Sequence, residues 1–189
     1  FFQAEDVIRD QPRSRWLGDV YKRQTKDRVD EIERAIKSAL TQSVKVNIVV
    51  LDDASNINIK DKLVSKFKDQ PIKWIRSESP SGVAGARNKL VENSSGSLMV
   101  FLDDDAYFTN EDSLKKIINK FSSSDEIAGM AFKIILKKEK DGLQIPFNKL
   151  KRFFNKNIHN HETNVSYFIG AGHVLLRETF IKVGGYDTE

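Results

Sequence analysis

Apolar residues along this chain either recur at helical spacing or stand in nearly unbroken runs, and the alternation between the two predicts its elements. Over 27–43, Val29, Ile32, Ile36, Ala39 and Leu40 return at steps of three and four with charges between them, the spacing of a helix laid against a core. The run 46–51 is continuously apolar and β-branched, is closed by Asp52 and Asp53, and reads as a strand covered on both faces. A helix over about 60–68, a strand over 72–76 and a helix over 83–93 follow. The run 97–102 repeats the buried-strand pattern and also ends in acids, Asp103, Asp104 and Asp105. A helix near 111–121, a strand near 127–136, a polar and basic stretch to about 163 and an apolar segment over 165–176 complete the pattern. Strands alternating with helices predict right-handed crossovers and an α/β fold with a mostly parallel sheet flanked by helices. Ligands of such sheets gather beyond the carboxyl ends of the strands, where both acid clusters stand.

The ends depart from this pattern. Residues 1–24 show neither arrangement, and QAEDVIRD and WLGDVYKRQ within them resemble translated sequencing-adapter strings, so this segment is expected to be non-native or disordered. It also lacks the architecture of a signal peptide. The domain is expected to occupy 25–189 and to be truncated at its C-terminus, because Gly184-Gly185-Tyr186-Asp187 stands inside a continuing pattern.

Composition narrows the chemistry. Of 189 residues, 39% are hydrophobic and 31% charged, a globular balance, and no run of apolar residues is long enough to span a bilayer. Without cysteine, any metal must be held by oxygen or histidine, and a reducing compartment is suited. A formal charge of +4 fits an anionic ligand or an acidic membrane surface and falls short of a clustered nucleic-acid patch, so no nucleic acid is expected as a partner.

Consecutive aspartates leaving a buried strand repel one another, at about 3 kcal/mol for charges roughly 5 Å apart and an effective dielectric near 20. An isolated triplet is more often a solvated turn, but a second acid-tipped strand beside it suggests a shared site. Magnesium or manganese would offset the repulsion while leaving positions for water and substrate phosphates. In an extended segment Asp103 and Asp105 would share one face and Asp104 would turn toward a sugar or ribose hydroxyl. Residues 79–88 (SPSGVAGARN) form a turn entering a helix whose small first-turn residues, Gly82 among them, admit a phosphate, with Arg87 supplying a guanidinium fork. Taken alone, packing and surface ion pairs explain that segment equally well.

Together, TKDRVDEIERAIKSALTQS, VNIVVLDDAS, SGVAGARNKL, LMVFLDDDAYF and GAGHVLLRETFIKVGGYD resemble family 2 glycosyltransferases of the GT-A fold, in the same order over residues 25–189. The resemblance implies an inverting transfer of a sugar from a nucleotide-sugar donor, a UDP-sugar by expectation, to the hydroxyl of a glycan or lipid-linked acceptor. It places Asp52 and Asp53 beside the base, Gly82 and Arg87 along the nucleotide, and Asp103 and Asp104 toward ribose. Mn2+ or Mg2+ would sit on Asp105 first and on Asp103. The catalytic base is expected beyond Glu189, which leaves Asp187 a weak substitute. The family's first strand would fall at about 16–24, where its pattern is missing. The resemblance also implies a role in cell envelope polysaccharide synthesis, in the cytoplasm or at the inner membrane face. Two other readings compete: a sugar nucleotidyltransferase, which should carry a glycine-rich basic loop after its first strand, and a non-catalytic nucleotide- or glycan-binding remnant.

Three further features carry less. His159 and His161 read as a solvated loop, and His173 as a satisfied core residue. Lys137, Lys138, Lys140, Lys149, Lys151, Arg152 and Lys156 interleave with Phe147, Phe153 and Phe154; a solvated basic face explains them more simply than a membrane-surface segment.

Overall fold

A computed structural model describes residues 16–21, 28–135, 143–144 and 172–188. In chain order the elements are β1 (Trp16–Tyr21), α1 (Val29–Leu40), β2 (Asn47–Asp52), α2 (Ile59–Leu63) continued by a 3-10 turn (Val64–Phe67), β3 (Ile72–Arg76), α3 (Gly82–Glu92), β4 (Leu98–Leu102), α4 (Ser113–Ser122), β5 (Gly129–Ala131), β6 (Ile134–Ile135), β7 (Leu143–Gln144), β8 (Gly172–Leu176) and α5 (Arg177–Lys182). His159, His161 and the basic and aromatic residues of 137–156 lie outside the described residues.

Six strands form one sheet in the order β3-β2-β1-β4-β8-β5, and β6 pairs with β7 separately. The four strands β3, β2, β1 and β4 are mutually parallel, whereas β8 runs antiparallel to both β4 and β5. The expected parallel sheet is thus present, with one reversed strand. The continuous apolar runs mark strands with helices on both sides. Ile48, Val50, Leu98, Val100 and Val174 pack with Ile32, Ala35, Ile36 and Ala39 of α1, Ile59 and Leu63 of α2, and Leu114 and Ile117 of α4. The alternate residues face the other layer: Val49 and Leu51 meet Ala86 and Leu90 of α3, and Met99 and Phe101 meet Val91 of α3 and Phe180 of α5. Period two in the strands thus delivers one side chain in two to each helical layer.

Two sequence expectations need correction. The first strand, not legible in the pattern, is present as β1 and lies at the centre of the parallel sheet, where Val20 pairs with Val50 on one side and Leu102 on the other. Gly18 and Asp19 interrupt its apolar run, so the strand is recognised by the backbone slot it fills between β2 and β4 and not by hydrophobicity. The single strand expected near 127–136 is divided into β5 and β6, which belong to different sheets.

Deleting residues 1–21 should therefore remove the ladder partner of both β2 and β4 and abolish cooperative thermal unfolding followed by circular dichroism. A truncated chain that melts cooperatively within a few degrees of the full chain would contradict this placement of β1.

Candidate active site

Because β2 and β4 are both parallel to β1, their carboxyl ends open on one edge of the sheet, two strand spacings or about 10 Å apart. Five aspartates leave there, and the structure gives each different surroundings.

Asp52 is 3% exposed and organises the loop that follows it. Its Oδ1 accepts from the Ser55 amide at 2.9 Å, and its Oδ2 accepts from the Ile59 amide at 3.3 Å and from Arg76 Nη1 at 2.7 Å. Arg76 also donates to the Ser55 and Ile57 carbonyls at 2.7 and 3.3 Å, so the 53–58 loop is laced to β3. Ala54 within it takes a positive φ of 61°, a conformation costing about 1 kcal/mol or more for a residue with a Cβ. Burial raises the Asp52 carboxyl, but the Ser55 and Ile59 hydrogen bonds and the Arg76 charge outweigh it and hold the group below its ordinary 3.8. Asp53, also 3% exposed, accepts from the Ser81 amide at 3.0 Å and the Ser81 hydroxyl at 2.6 Å. That bond ties the end of β2 to the N-terminus of α3, where Gly82 takes a positive φ of 70°.

The triplet does not continue as a strand. The Ala106 amide closes a turn onto the Asp103 carbonyl at 3.0 Å, so the period of two is lost and the expectation that Asp103 and Asp105 share a face fails. Asp103 meets α3, with its Oδ1 3.5 Å from Arg87 Nη2, and Asp105 meets the start of α1, with its Oδ2 3.0 Å from Arg28 Nη1. These helices lie on opposite faces of the sheet, so one arginine approaches the acids from each layer. The Asp103 pair is mostly buried, the Asp105 pair about half exposed, and Asp104 between them is 2% exposed. Among the described residues no three His, Asp or Glu side chains converge as a metal cage. One or two carboxylates suffice when a diphosphate and water complete a magnesium or manganese shell, so Asp105 and Asp103 suit such an ion only together with an anionic ligand.

Sequence reasoning missed the surroundings of Arg87. The guanidinium lies over the Tyr186 ring, 5.4 Å from its centroid. Tyr186 exchanges two backbone hydrogen bonds with the Asn88 side chain, both at 2.9 Å, and its hydroxyl bonds His173 Nε2. His173 is 1% exposed and stacks on Phe101 at 4.8 Å, in agreement with a satisfied core residue. Burial pushes the Tyr186 hydroxyl up to about 12, with Arg87 partly opposing the rise. The available signal was Gly184-Gly185 before an aromatic residue: both glycines have positive φ, and a Cβ on Gly185 would lie 2.9 Å from Asn88 Oδ1. Asp187 is exposed next to this clasp.

The Glycosyl transferase family 2 model matches residues 24–184, most of the chain. The chain belongs to that family. Over 80 residues it is 36% identical to the Escherichia coli UDP-Glc:alpha-D-GlcNAc-diphosphoundecaprenol beta-1,3-glucosyltransferase WfaP, a match covering 42% of this chain and 32% of that protein. Its fold resembles the mannosyltransferase PcManGT from Pyrobaculum calidifontis, solved with GDP-Man and Mn2+, with a TM-score of 0.69 and 17% identity over 93% of this chain and 48% of the other. It also resembles S. aureus TarS solved with UDP-GlcNAc, with a TM-score of 0.66 and 16% identity over 90% of this chain and 48% of that one. The chain thus spans about a third of the curated relative and about half of each structural neighbour. These likenesses establish the GT-A fold for this family 2 member and a glycosyl-transferring family for its chemistry. The sugar nucleotidyltransferase reading is set aside.

Because the folded Asp52 pKa is lowered, the ionised group stabilises the fold above about pH 4, and that stabilisation is lost as pH falls through the folded value. Asp52→Asn is expected to cost about 1–3 kcal/mol at neutral pH. It should also flatten the fall in melting temperature as pH drops below about 4. Parallel pH profiles for the two proteins would contradict the assignment.

Proposed function

We propose that this chain is the donor-binding catalytic domain of an inverting, metal-dependent glycosyltransferase using a nucleotide-sugar, with a UDP-sugar as the first choice. The observation that carries this is the convergence of two acid-tipped parallel strands on one sheet edge, with an arginine reaching the triplet from each helical layer. In this reading the domain occupies 25–189 and takes its central strand, β1, from the preceding segment. Asp53 lies at the base side, with Asp52 fixing the loop beside it, while Gly82 and Arg87 flank the nucleotide and Asp103 and Asp104 border the ribose. Asp105, helped by Asp103, would hold Mn2+ or Mg2+, which supplies charge stabilisation to the departing diphosphate. The arginines would neutralise what remains of that charge, Arg87 from its mostly buried position and Arg28 from the rim.

The donor choice is supported by the UDP-Glc in the name of the E. coli relative and the UDP-GlcNAc bound to TarS, and the metal by the Mn2+ of PcManGT. The diphosphoundecaprenol in the relative's name supports a lipid-linked acceptor, hence envelope polysaccharide synthesis at the inner face of the membrane. No helix among the described residues is long and apolar enough to cross a bilayer, which fits peripheral association. Asp187 remains the weak candidate for activating the acceptor hydroxyl.

Calorimetric titration with UDP should show binding in Mn2+ that weakens at least about tenfold in chelator, as an ion bridging protein and diphosphate requires. Asp105→Asn should reproduce most of that loss even with Mn2+ present. Equal affinity with and without chelator would contradict metal-mediated donor binding.

A further inference from the structure

Arg87 is the most enclosed cation of the site, and the chain encloses it through a closed circuit of contacts. Phe101 of β4 stacks on His173 of β8, His173 bonds the Tyr186 hydroxyl, the Tyr186 ring underlies the Arg87 guanidinium, and Arg87 returns to Asp103, two residues beyond Phe101. Each link joins a different element, so the ring plane of Tyr186 is fixed from several directions. Phe101 meets it edge-on at 6.0 Å and Phe180 at 5.3 Å. Asn88, the residue after Arg87 on α3, clamps the Tyr186 backbone through both its amide and its carbonyl. The cation and the ring beneath it are thereby registered on the same helical turn.

An arginine side chain loses considerable rotamer freedom when it is held in one place. The Asp103 contact, at 3.5 Å, is too long to fix the guanidinium by itself. An aromatic face supplies a further, non-competing attraction: it draws the cation without using its N–H groups.

On the reading that Arg87 faces the donor diphosphate, we infer that Tyr186 is a positioning residue, holding the Arg87 guanidinium in the orientation that receives phosphate. His173 and Asn88 in turn hold Tyr186. Tyr186 touches no reacting atom; its effect is exerted through Arg87 and is specific to the phosphate part of the donor.

The test is calorimetric titration of the full chain with UDP and with uridine, in Mn2+, for the wild type, Arg87→Ala, Tyr186→Phe, Tyr186→Leu and the Arg87→Ala/Tyr186→Leu double variant, with melting followed by circular dichroism. Tyr186→Leu should weaken UDP binding about fivefold to thirtyfold, the size of a partly desolvated cation–π contact, and leave uridine binding within about twofold. Tyr186→Phe keeps the ring and should retain UDP affinity within about threefold. The double variant should bind UDP no more weakly than Arg87→Ala, since both changes remove the same interaction. Should Tyr186→Leu melt too low, Tyr186→Met fills the volume without an aromatic face and carries the same expectation. Equal losses for UDP and uridine, or additive losses in the double variant, would overturn the inference while leaving the donor reading intact. A wild-type chain that binds no UDP would overturn both.

Discussion

The constraint on which this architecture turns is the crowding of negative charge at one edge of a buried sheet. Asp52, Asp53, Asp103, Asp104 and Asp105 leave the two parallel strands that flank β1, and four of them are largely withdrawn from water. A carboxylate can stay ionised there only if donors or cations meet it. The structure meets the charges unequally. Asp52 and Asp53 are satisfied by amides, Ser81 and Arg76, which converts them into braces for the loop after β2 and the start of α3. Asp103 faces an arginine across a long, mostly buried contact, and Asp105 across an exposed one that an arriving ion and its anionic ligand can exchange at modest cost. In the proposed function, that inequality separates the acids that brace the loops from those directed at the ligand.

The same constraint accounts for the layering. A parallel sheet must be covered on both faces, and α1 and α3 provide that cover while bringing Arg28 and Arg87 to the acid-tipped edge from opposite sides. Ser81 at the start of α3 is bonded to Asp53, and Arg87 lies about one and two-thirds turns later, so one helix touches both acid clusters. Its buried stripe, Ala86, Leu90 and Val91, seats it on β2 and β4 and sets where the guanidinium emerges.

Much of this was legible in the sequence, and the parts that were not share a cause. The helices α1 and α4 were visible because burial on one face imposes a period, the strands β2 and β4 because burial on both faces leaves an apolar run, and the acids ending those strands because a ligand edge is predictable from topology. β1 was not, since Gly18 and Asp19 break its run and its position is imposed by the backbone slot between its neighbours. The divergence of Asp103 and Asp105 was hidden in a turn closed by the Ala106 amide, a local bond that overrides strand periodicity. Tyr186 was hidden in plain view as a turn residue after two glycines. Only the long-range pairing of residues 88 and 186 reveals that the turn grips the helix carrying Arg87. Period reports burial, whereas contacts between residues far apart in the chain leave no period to detect.

The central claim is that both acid-tipped strands serve one ligand through one ion. An anomalous difference map from crystals of the full chain grown with UDP and Mn2+ tests it most directly. The account predicts a manganese peak about 2.0–2.3 Å from an Asp105 oxygen, bridged to the diphosphate, with Arg87 on a phosphate oxygen and the base beside Asp53. A nucleotide bound away from that edge, or a manganese peak with no contact to the 103–105 turn, would contradict it.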